Sequence, residues 1–224
     1  MGRANRVAVG GMAYHVLNRA NAGMTIFESD HDYAAFQRVV VEAREREDMR
    51  ILSYCIMPNH WHFVLWPRRD GDLSRFTGWL TLTHTQRWHA RRGTVGSGHL
   101  YQGRFKSFPI QEDEHLLTVC RYVERNARRA NLVDRAEDWQ PGSLWQYRHG
   151  SDEDQHLLSP WPLPRPRQWV ALVNRPQPEE ELKALRHSIV RGAPFGDAVW
   201  VPKIARKLGL ESTLRPRGRP KKAF

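Results

Sequence analysis

Hydrophobic and polar positions repeat with two periods along the first two thirds of the chain. Short runs alternate apolar and polar residues, which is typical of strands, while longer runs repeat apolar residues every three or four positions, which is typical of amphipathic helices. The pattern predicts the order strand-helix-strand-strand-helix-strand-helix. The predicted strands cover residues 12–18, 50–56, 60–66 and 101–110, and the predicted helices cover 31–47, 72–91 and 112–130.

Boundary residues support this order. Asp30 or Ser29 can cap the first helix, and Asp72 can cap the second. Pro58 ends the second strand because it lacks the backbone donor that a sheet needs, so the second and third strands should form a hairpin. The order predicts an α+β fold: a ferredoxin-like split sheet, mainly antiparallel, with helices on one face.

The composition changes after about residue 150. Six prolines fall between 160 and 178, which predicts a stiff proline-rich linker over 151–178 without a core of its own. Two further helices are predicted at 179–191 and 197–209. Eight basic residues and one acidic residue lie between Lys203 and Lys222. We therefore expect one domain over 1–150 and a basic C-terminal helical and tail region over 179–224.

The charge balance narrows the class of partner. The chain carries 35 Lys and Arg against 24 Asp and Glu, a formal net charge of +11. Such an excess predicts a polyanion, with nucleic acid as the first choice. Cys55 and Cys120 lie in apolar runs and no CxxC pair occurs, which argues against a zinc knuckle. No apolar run is long enough for a membrane span, so we expect a cytoplasmic, nucleoid-associated protein with no membrane partner.

Two histidines form the first candidate for chemistry. His60 and His62 flank Trp61 in a predicted strand, so their side chains share one face, roughly 7 Å apart at Cα. Two imidazoles in this arrangement can converge on one metal ion. The alternative is that one histidine belongs to the core and the other is exposed. Two ligands do not complete a site, so a third must come from elsewhere in the fold.

The last predicted helix of the first domain supplies candidates for that ligand and for a nucleophile. Tyr122 and Asn126 are four residues apart and share one helical face. The amide oxygen of Asn126 can bind a hard cation, and about three positions of an octahedral ion would remain for water and phosphate oxygens. The alternative is that Tyr122 is an ordinary half-buried tyrosine.

Several motifs resemble those of single-tyrosine HUH transposases. The resemblance rests on the order of four segments: Tyr-His-Val-Leu-Asn-Arg (14–19), Met-Pro-Asn-His-Trp-His (57–62), Tyr-Gln-Gly-Arg-Phe-Lys (101–106) and Arg-Tyr-Val-Glu-Arg-Asn (121–126). Two C-terminal pieces, 191–196 and 214–220, resemble the REP-associated tyrosine transposases within that family. One departure is Ala127, where the family has a helix-ending proline, so the helix is expected to run further.

The resemblance implies a mechanism and its residues. Tyr122 would attack a DNA phosphate, forming a 5′-phosphotyrosine and freeing a 3′-OH, while His60, His62 and Asn126 would hold Mg²⁺ or Mn²⁺. The implied substrate is a repetitive palindrome read as a single strand folded into a hairpin. Candidate DNA contacts are Arg19, Arg104, Lys106, Arg128 and Arg129, each of which could instead be solvated surface charge.

The tail contains a further candidate contact. Pro216-Arg217-Gly218-Arg219-Pro220 resembles an AT-hook core, whose arginines would enter the narrow minor groove of AT-rich duplex DNA. The alternative is a disordered solubilising tail.

Three other functions compete with the nuclease and transposase prediction. The main rival is a DNA-binding protein that keeps the fold without the chemistry, and the second is an RNA-binding regulator. A zinc hydrolase is disfavoured because no third His, Cys or carboxylate lies at ligand spacing near the pair. The sequence leaves open whether the protein is a monomer or a homodimer.

Overall fold

A four-stranded antiparallel sheet forms the centre of the computed structural model, which describes residues 8–150 and 157–215. The strands are β1 (Ala13–Arg19), β2 (Arg50–Met57), β3 (His60–Trp66) and β4 (Lys106–Ile110), in the spatial order β2-β3-β1-β4. Every pair of neighbouring strands is antiparallel. Because β3 lies between β1 and β2, the predicted α+β fold with a split, ferredoxin-like sheet is confirmed.

The helices follow the predicted order and continue into the C-terminal region. They are α1 (Asp30–Glu47), α2 (Asp72–Arg92), α3 (Glu114–Glu124), α4 (Asn126–Arg129), α5 (Ser143–His149), α6 (Trp169–Asn174), α7 (Glu179–Arg191), α8 (Trp200–Leu208) and α9 (Glu211–Leu214). Ser29 caps α1 and its backbone N–H donates to Asp32 (3.1 Å). The cap of α2 is Gly71 rather than the predicted Asp72, which lies one residue inside the helix.

Helices cover both faces of the sheet, whereas the sequence predicted helices on one face. On the first face, Tyr14, Val16, Trp61 and Phe63 pack into one apolar cluster with residues of α1 and α2. On the second face, sheet residues such as Val64 and Phe108 pack against α3 and the C-terminal helices. The reason is visible in the burial of β2 and β3: both are buried along nearly their whole length, so both of their faces need cover.

Two element boundaries differ from the prediction. The last strand begins at Lys106 instead of 101, because the chain first makes an isolated bridge between Tyr101 and Ala20 and then turns through Gly103, whose φ is +150°. The predicted single helix over 112–130 is interrupted at Arg125, whose ψ of −4° separates α3 from α4. The side chain of Arg125 donates to the carbonyl oxygens of Val173 and Asn174, which ties this break to the end of α6.

The predicted linker contributes to the core. Within the described residues 157–178, Trp169 and Val173 are buried in the second-face cluster, and Trp161 donates its indole N–H to the carbonyl of Leu52 (2.7 Å). These residues therefore pack into the core of the sheet domain, a contact that the proline pattern alone does not indicate. The prolines describe backbone stiffness, but the tryptophans between them determine that the segment packs on the sheet.

The C-terminal helices at 179–191 and 200–208 agree with the prediction, and their segment docks on the sheet edge. Phe195 makes a parallel bridge with Ile110, and its backbone N–H donates to the carbonyl of Pro109 (2.9 Å). The boundaries proposed for separate domains stay a prediction. No helix within the two described ranges combines the length and the apolar character that crossing a membrane requires.

Candidate active site

The strand register places His60 and His62 on the second face, beneath α3. In the β1–β3 ladder His62 is opposite Leu17 and His60 is opposite Arg19, and directly opposite residues share a face. The two imidazole centroids are 5.0 Å apart. Trp61 lies on the other face, where its ring packs 6.2 Å from Phe36 of α1. The predicted shared face of the two histidines is therefore present.

A third histidine, which the sequence analysis missed, contacts this pair. Nε2 of His15 is 2.8 Å from Nδ1 of His62, and the His15 ring stacks on Phe108 with centroids 4.8 Å apart. His15 reaches the pair in space because β1 is the sheet neighbour of β3, although the residues are far apart in sequence. The signal that could have found it is the position of His15 in the same alternation as Leu17 and Arg19.

Tyr122 lies over the histidines within the same chain. Its side chain is buried, and its ring centroid is 6.0 Å from that of His62 and 6.4 Å from that of His15, in both cases edge to face. α3 contacts β2, β3 and β4, which holds the tyrosine above the centre of the sheet. The structure therefore brings the predicted nucleophile and the predicted imidazoles together on one side.

Asn126 and Arg129 complete this cluster from α4. Asn126 is buried, and its Oδ1 accepts a hydrogen bond from Nη2 of Arg129 (2.8 Å). The same guanidinium lies 4.1 Å from the ring centroid of Tyr122. Nδ2 of Asn126 is buried and finds no hydrogen-bond partner among the described residues. Arg129, predicted as a surface DNA contact, thus links the predicted nucleophile to the predicted third ligand.

Burial keeps the three imidazoles neutral. It lowers the pKa of His15 to about 3 and, with the nearby cations Arg19 and Arg129, lowers the pKa of His60 to about 4. Burial, together with the neighbouring His15 and His60, holds the pKa of His62 well below its usual range. Neutral imidazoles offer a lone pair to a cation, whereas protonated ones cannot.

The ring nitrogens are arranged in a way that fits metal binding. Nδ1 of His60 donates to Oδ1 of Asn59 (2.6 Å), and Nδ1 of His62 faces His15. Within the described part of the chain, no hydrogen bond engages Nε2 of His60 or His62. An imidazole that binds a metal through one nitrogen commonly has its other nitrogen fixed in this way. The two imidazoles therefore fit a divalent cation only together with another kind of ligand, because no group of three His, Cys, Asp or Glu side chains within residues 8–150 and 157–215 could hold a metal ion.

The predicted DNA contacts fall into three groups. Arg19, Arg104 and Lys106 together line one cavity of about 310 Å³ on the side of β1 away from β3. Arg128 and Arg129 are half-buried on α4. Arg217 and Arg219 lie outside the described residues, so the AT-hook stays a prediction.

Two solved structures are similar to this chain. A structure described as a REP-associated tyrosine transposase bound to a REP hairpin superposes with a TM-score of 0.55 at 16% identity, covering 67% of this chain and 87% of that one. A crystal structure assigned as a transposase from Deinococcus radiodurans R1 matches with a TM-score of 0.40 at 12% identity, covering 58% of this chain and 92% of that one. The first likeness shows a shared fold. No curated protein matches the sequence.

A family model identifies the chain more directly. The model described as "Transposase IS200 like" matches residues 8–126, which is more than half of the sequence and contains all four strands, both motif histidines, Tyr122 and Asn126. The resemblance to single-tyrosine transposases is thereby confirmed. The chain belongs to the IS200-like transposase family.

Proposed function

We propose that this protein cuts and rejoins single-stranded DNA through a covalent bond between Tyr122 and a 5′-phosphate. One observation carries the proposal: within one chain, Tyr122 lies 6.0 Å, centroid to centroid, from His62 and on the same side of the sheet as His60. A tyrosine that served only to fill the core would not require three neutral histidines beneath it.

The chemistry is a transesterification. The phenol oxygen of Tyr122 attacks phosphorus, the bond from phosphorus to the 3′ oxygen breaks, and the phenol proton is finally carried by the freed 3′-OH. The number of phosphodiester bonds is conserved, so rejoining is the reverse reaction with another 3′-OH. No nucleotide cofactor is needed, which agrees with the lack of a Gly-rich Walker loop in the sequence.

His60 and His62 would hold a divalent cation, Mg²⁺ or Mn²⁺, and the amide oxygen of Asn126 would complete the protein ligands. When bound, the cation supplies positive charge that polarises the scissile phosphate. The protein's own contribution is to keep both imidazoles neutral and to fix Nδ1 of each ring.

Arg129 would have two positions in this reaction. In the structure its guanidinium donates a hydrogen bond to Oδ1 of Asn126 and lies over the ring of Tyr122. A DNA phosphate is a ligand that can compete for the guanidinium, because charge-assisted bonds to phosphate are stronger than bonds to a neutral amide. Substrate entry would thus free the amide oxygen, and Arg128 on the same turn would add a second phosphate contact.

The substrate is proposed to be a hairpin formed by a palindromic single strand. The structurally similar REP-associated transposase is described with a REP hairpin, and the basic excess of this chain favours a nucleic acid. Because nucleophile and imidazoles come from one chain, cutting is expected of a monomer and does not require a homodimer. The AT-rich duplex remains a second proposed ligand, bound by the tail residues Arg217 and Arg219.

A labelled-strand assay tests the proposal. Full-length protein is incubated with an end-labelled hairpin oligonucleotide and Mn²⁺ or Mg²⁺, and products are separated under denaturing conditions. We expect a nick that EDTA abolishes and a protein-linked product that carries only the fragment with the new 5′ end. A matched RNA hairpin should not be cut. Cutting without any protein-linked fragment would contradict the phosphotyrosine mechanism.

The alternative function is hairpin-specific DNA binding without cutting. The observation in its favour is that Arg129 already engages Oδ1 of Asn126, which leaves that oxygen committed in this arrangement. Under this alternative the wild-type protein binds the same hairpin with equal affinity in EDTA and in Mn²⁺, and no linked product forms. The same gel therefore separates the two functions.

A further inference from the structure

A cavity of about 310 Å³ opens beside the histidine pair and is not used by the reaction described above. Its walls come from the end of β1, from residues 102–106 before and at the start of β4, and from the last turn of α7. Its volume is at the lower end of the range for pockets that hold small molecules. The cavity is therefore large enough for a ligand of about the size of one nucleotide.

The lining has the chemistry of a nucleotide site. Arg19, Arg104 and Lys106 are exposed cations at the cavity, and none of its described lining residues is acidic. Leu17, Ile189 and Val190 supply apolar surface. Cations beside an apolar wall suit a ligand with a charged backbone and a planar, uncharged face.

Amide groups at the rim add hydrogen-bonding capacity. Asn18 is engaged in holding the rim, since its Oδ1 accepts from the backbone N–H of Arg19 (3.0 Å) and its Nδ2 donates to the carbonyl of Gly103 (3.4 Å). The side chain of Gln102 is exposed at the same cavity, and a glutamine amide can both donate and accept. The rim can thus hydrogen-bond the edge of a base.

The strand register fixes where the cavity lies relative to Tyr122. Arg19 is directly opposite His60, and Leu17 is directly opposite both His62 and Lys106. The cavity wall is therefore one strand away from the histidines, about 5 Å, and on the same face. A strand whose phosphate lies at the histidine pair would reach this cavity with a neighbouring nucleotide.

We propose that the cavity takes up one unstacked nucleotide of the single strand next to the scissile phosphate, with its base against Leu17, Ile189 and Val190 and its phosphates on Arg19, Arg104 and Lys106. The inference rests on the proposed function, because it assumes a single-stranded DNA substrate. Ile189 and Val190 lie outside residues 8–126, so the C-terminal helix α7 completes a substrate site of the family domain.

The test measures separately how much the bases and the phosphate backbone contribute to affinity, and it uses a variant that should bind without cutting. Full-length Tyr122→Phe protein is titrated in EDTA with a short oligothymidylate and with an abasic strand of equal length, which keeps the phosphates and lacks the bases. Fluorescence anisotropy reports both affinities. We expect about tenfold tighter binding of the oligothymidylate, the size of one stacked base.

Two substitutions should affect the two affinities differently. Val190→Trp should fill the cavity, abolish the preference for bases and leave affinity for the abasic strand unchanged. Arg104→Ala should weaken both strands by a similar factor and lower the salt slope by about one. The matched controls are Val199→Trp, at a residue 78% exposed that does not line the cavity, and Arg38→Ala on α1, which packs on the other face of the sheet.

A second variant that blocks the cavity keeps the test valid if the first variant misfolds. If unfolding curves show that Val190→Trp is damaged, Gln102→Trp closes the same cavity from its opposite rim and should give the same loss of base preference. Equal affinity of the parent protein for both strands, or a base preference that survives both tryptophan variants, would overturn the proposal. Tighter binding of oligouridylate than of oligothymidylate would also overturn it, in favour of RNA.

These outcomes distinguish a failure of the nucleotide site from a failure of the proposed function. Nicking by the wild-type protein together with no base preference would refute only the proposal that the cavity binds a nucleotide. A base preference together with a wild-type protein that never cuts would refute the enzyme and keep the cavity as a single-strand binding site.

Discussion

The two faces of the sheet differ in what the same strands place on them. Toward α1 and α2, β1 and β3 direct Tyr14, Val16, Trp61 and Phe63 into an apolar cluster in which each of these residues is at most 1% exposed. Toward α3, those strands direct His15 and His62, which contact each other and the ring of Tyr122. One short segment, residues 60–62, therefore serves packing on one side and holds the two proposed metal ligands on the other.

This difference predicts that substitutions on one face of the sheet affect mainly stability and that substitutions on the other face affect mainly activity. Buried imidazoles contribute less to stability than aromatic rings, since they must remain neutral and hydrogen-bonded. On the second face the buried imidazoles lie beside the apolar residues of α3 and add little stability. On the first face the aromatic rings pack tightly and add more. Substitutions on the first face should then change unfolding, and substitutions on the second face should change cutting and metal binding.

The largest separation should come from two tyrosines, one on each face. Tyr122→Phe removes the attacking oxygen, so cutting of a hairpin strand should fall by roughly 10⁴-fold or more with little change in stability. Tyr101→Phe removes an oxygen that accepts from Nε1 of Trp61 (3.0 Å) and bonds Nδ1 of His84 (2.7 Å). That variant should lose about 1–3 kcal/mol of stability and retain cutting. Equal effects of the two substitutions on cutting would refute the comparison.

Adjacent residues of β3 give the next largest contrast. Trp61→Ala leaves a cavity beneath α1 and should lower the free energy of unfolding by about 3–5 kcal/mol, measured by urea denaturation. Trp61→Phe, which fills part of that space, should lose less. His60→Ala, one residue away on the other face, should abolish metal-dependent cutting and change stability by less than about 1 kcal/mol. A loss below about 1 kcal/mol in Trp61→Ala would show that the first face is not the main source of stability.

His15 tests whether the second face is organised around a cation. We expect that His15→Phe, which removes the hydrogen bond to Nδ1 of His62, weakens Mn²⁺ binding by about 10–100-fold, the usual effect of losing a partner that orients a ligand. His15→Gln, which keeps a hydrogen-bonding group, should recover part of the affinity. Electron paramagnetic resonance of Mn²⁺ measures this without DNA. The control is His84→Phe, a buried histidine of the first face, where Mn²⁺ affinity should stay unchanged.

The smallest effect concerns a buried carboxyl group beneath the C-terminal segment. Glu124 accepts hydrogen bonds from Ser143 (2.9 Å) and Trp169 (2.6 Å), and burial raises its pKa above the ordinary 4.5. A raised pKa means that the folded state favours the protonated form, so the stability of the wild-type protein falls as pH rises through that pKa. Glu124→Gln, a neutral side chain of the same shape, should remove this slope and become the more stable protein at higher pH.

Glu137 is the matched control for that slope. Burial alone would raise its pKa, but hydrogen bonds from Asn174 (2.6 Å) and Arg135 (2.8 Å) lower it overall. Its contribution to stability is therefore present above the ordinary Glu pKa and is lost as pH falls through the lowered pKa. Thermal unfolding of Glu124→Gln and Glu137→Gln across pH should give stability differences from wild type of opposite sign. The same sign in both would contradict the account of their environments.

The sequence predicted the elements that local pattern determines. Alternation identified the strands around Trp61, and the four-residue spacing of Tyr122 and Asn126 placed them toward one side. The signals are strong there because successive side chains of a strand point to opposite faces, and the apolar side of a helix repeats every three or four residues. Both periods can be read directly from the sequence.

The misses depend on contacts between distant segments. His15 became part of the site only through the β1–β3 register, and Arg129 only through the turn at Arg125. The packing of Trp169 on Glu124 was missed because prolines suggested a connector, whereas the free energy of burying a tryptophan outweighs the stiffness of the backbone around it. Tertiary burial and register are not local properties, so a single sequence shows them poorly.

The site residues are tested most directly by mapping the covalent product. The full-length protein is incubated with single-stranded palindromic DNA and Mn²⁺, digested with nuclease and protease, and analysed by mass spectrometry. The account predicts one nucleotide-bearing peptide, modified at Tyr122 and absent when EDTA replaces Mn²⁺. An adduct on another tyrosine, or cut DNA with every tyrosine unmodified, would contradict it.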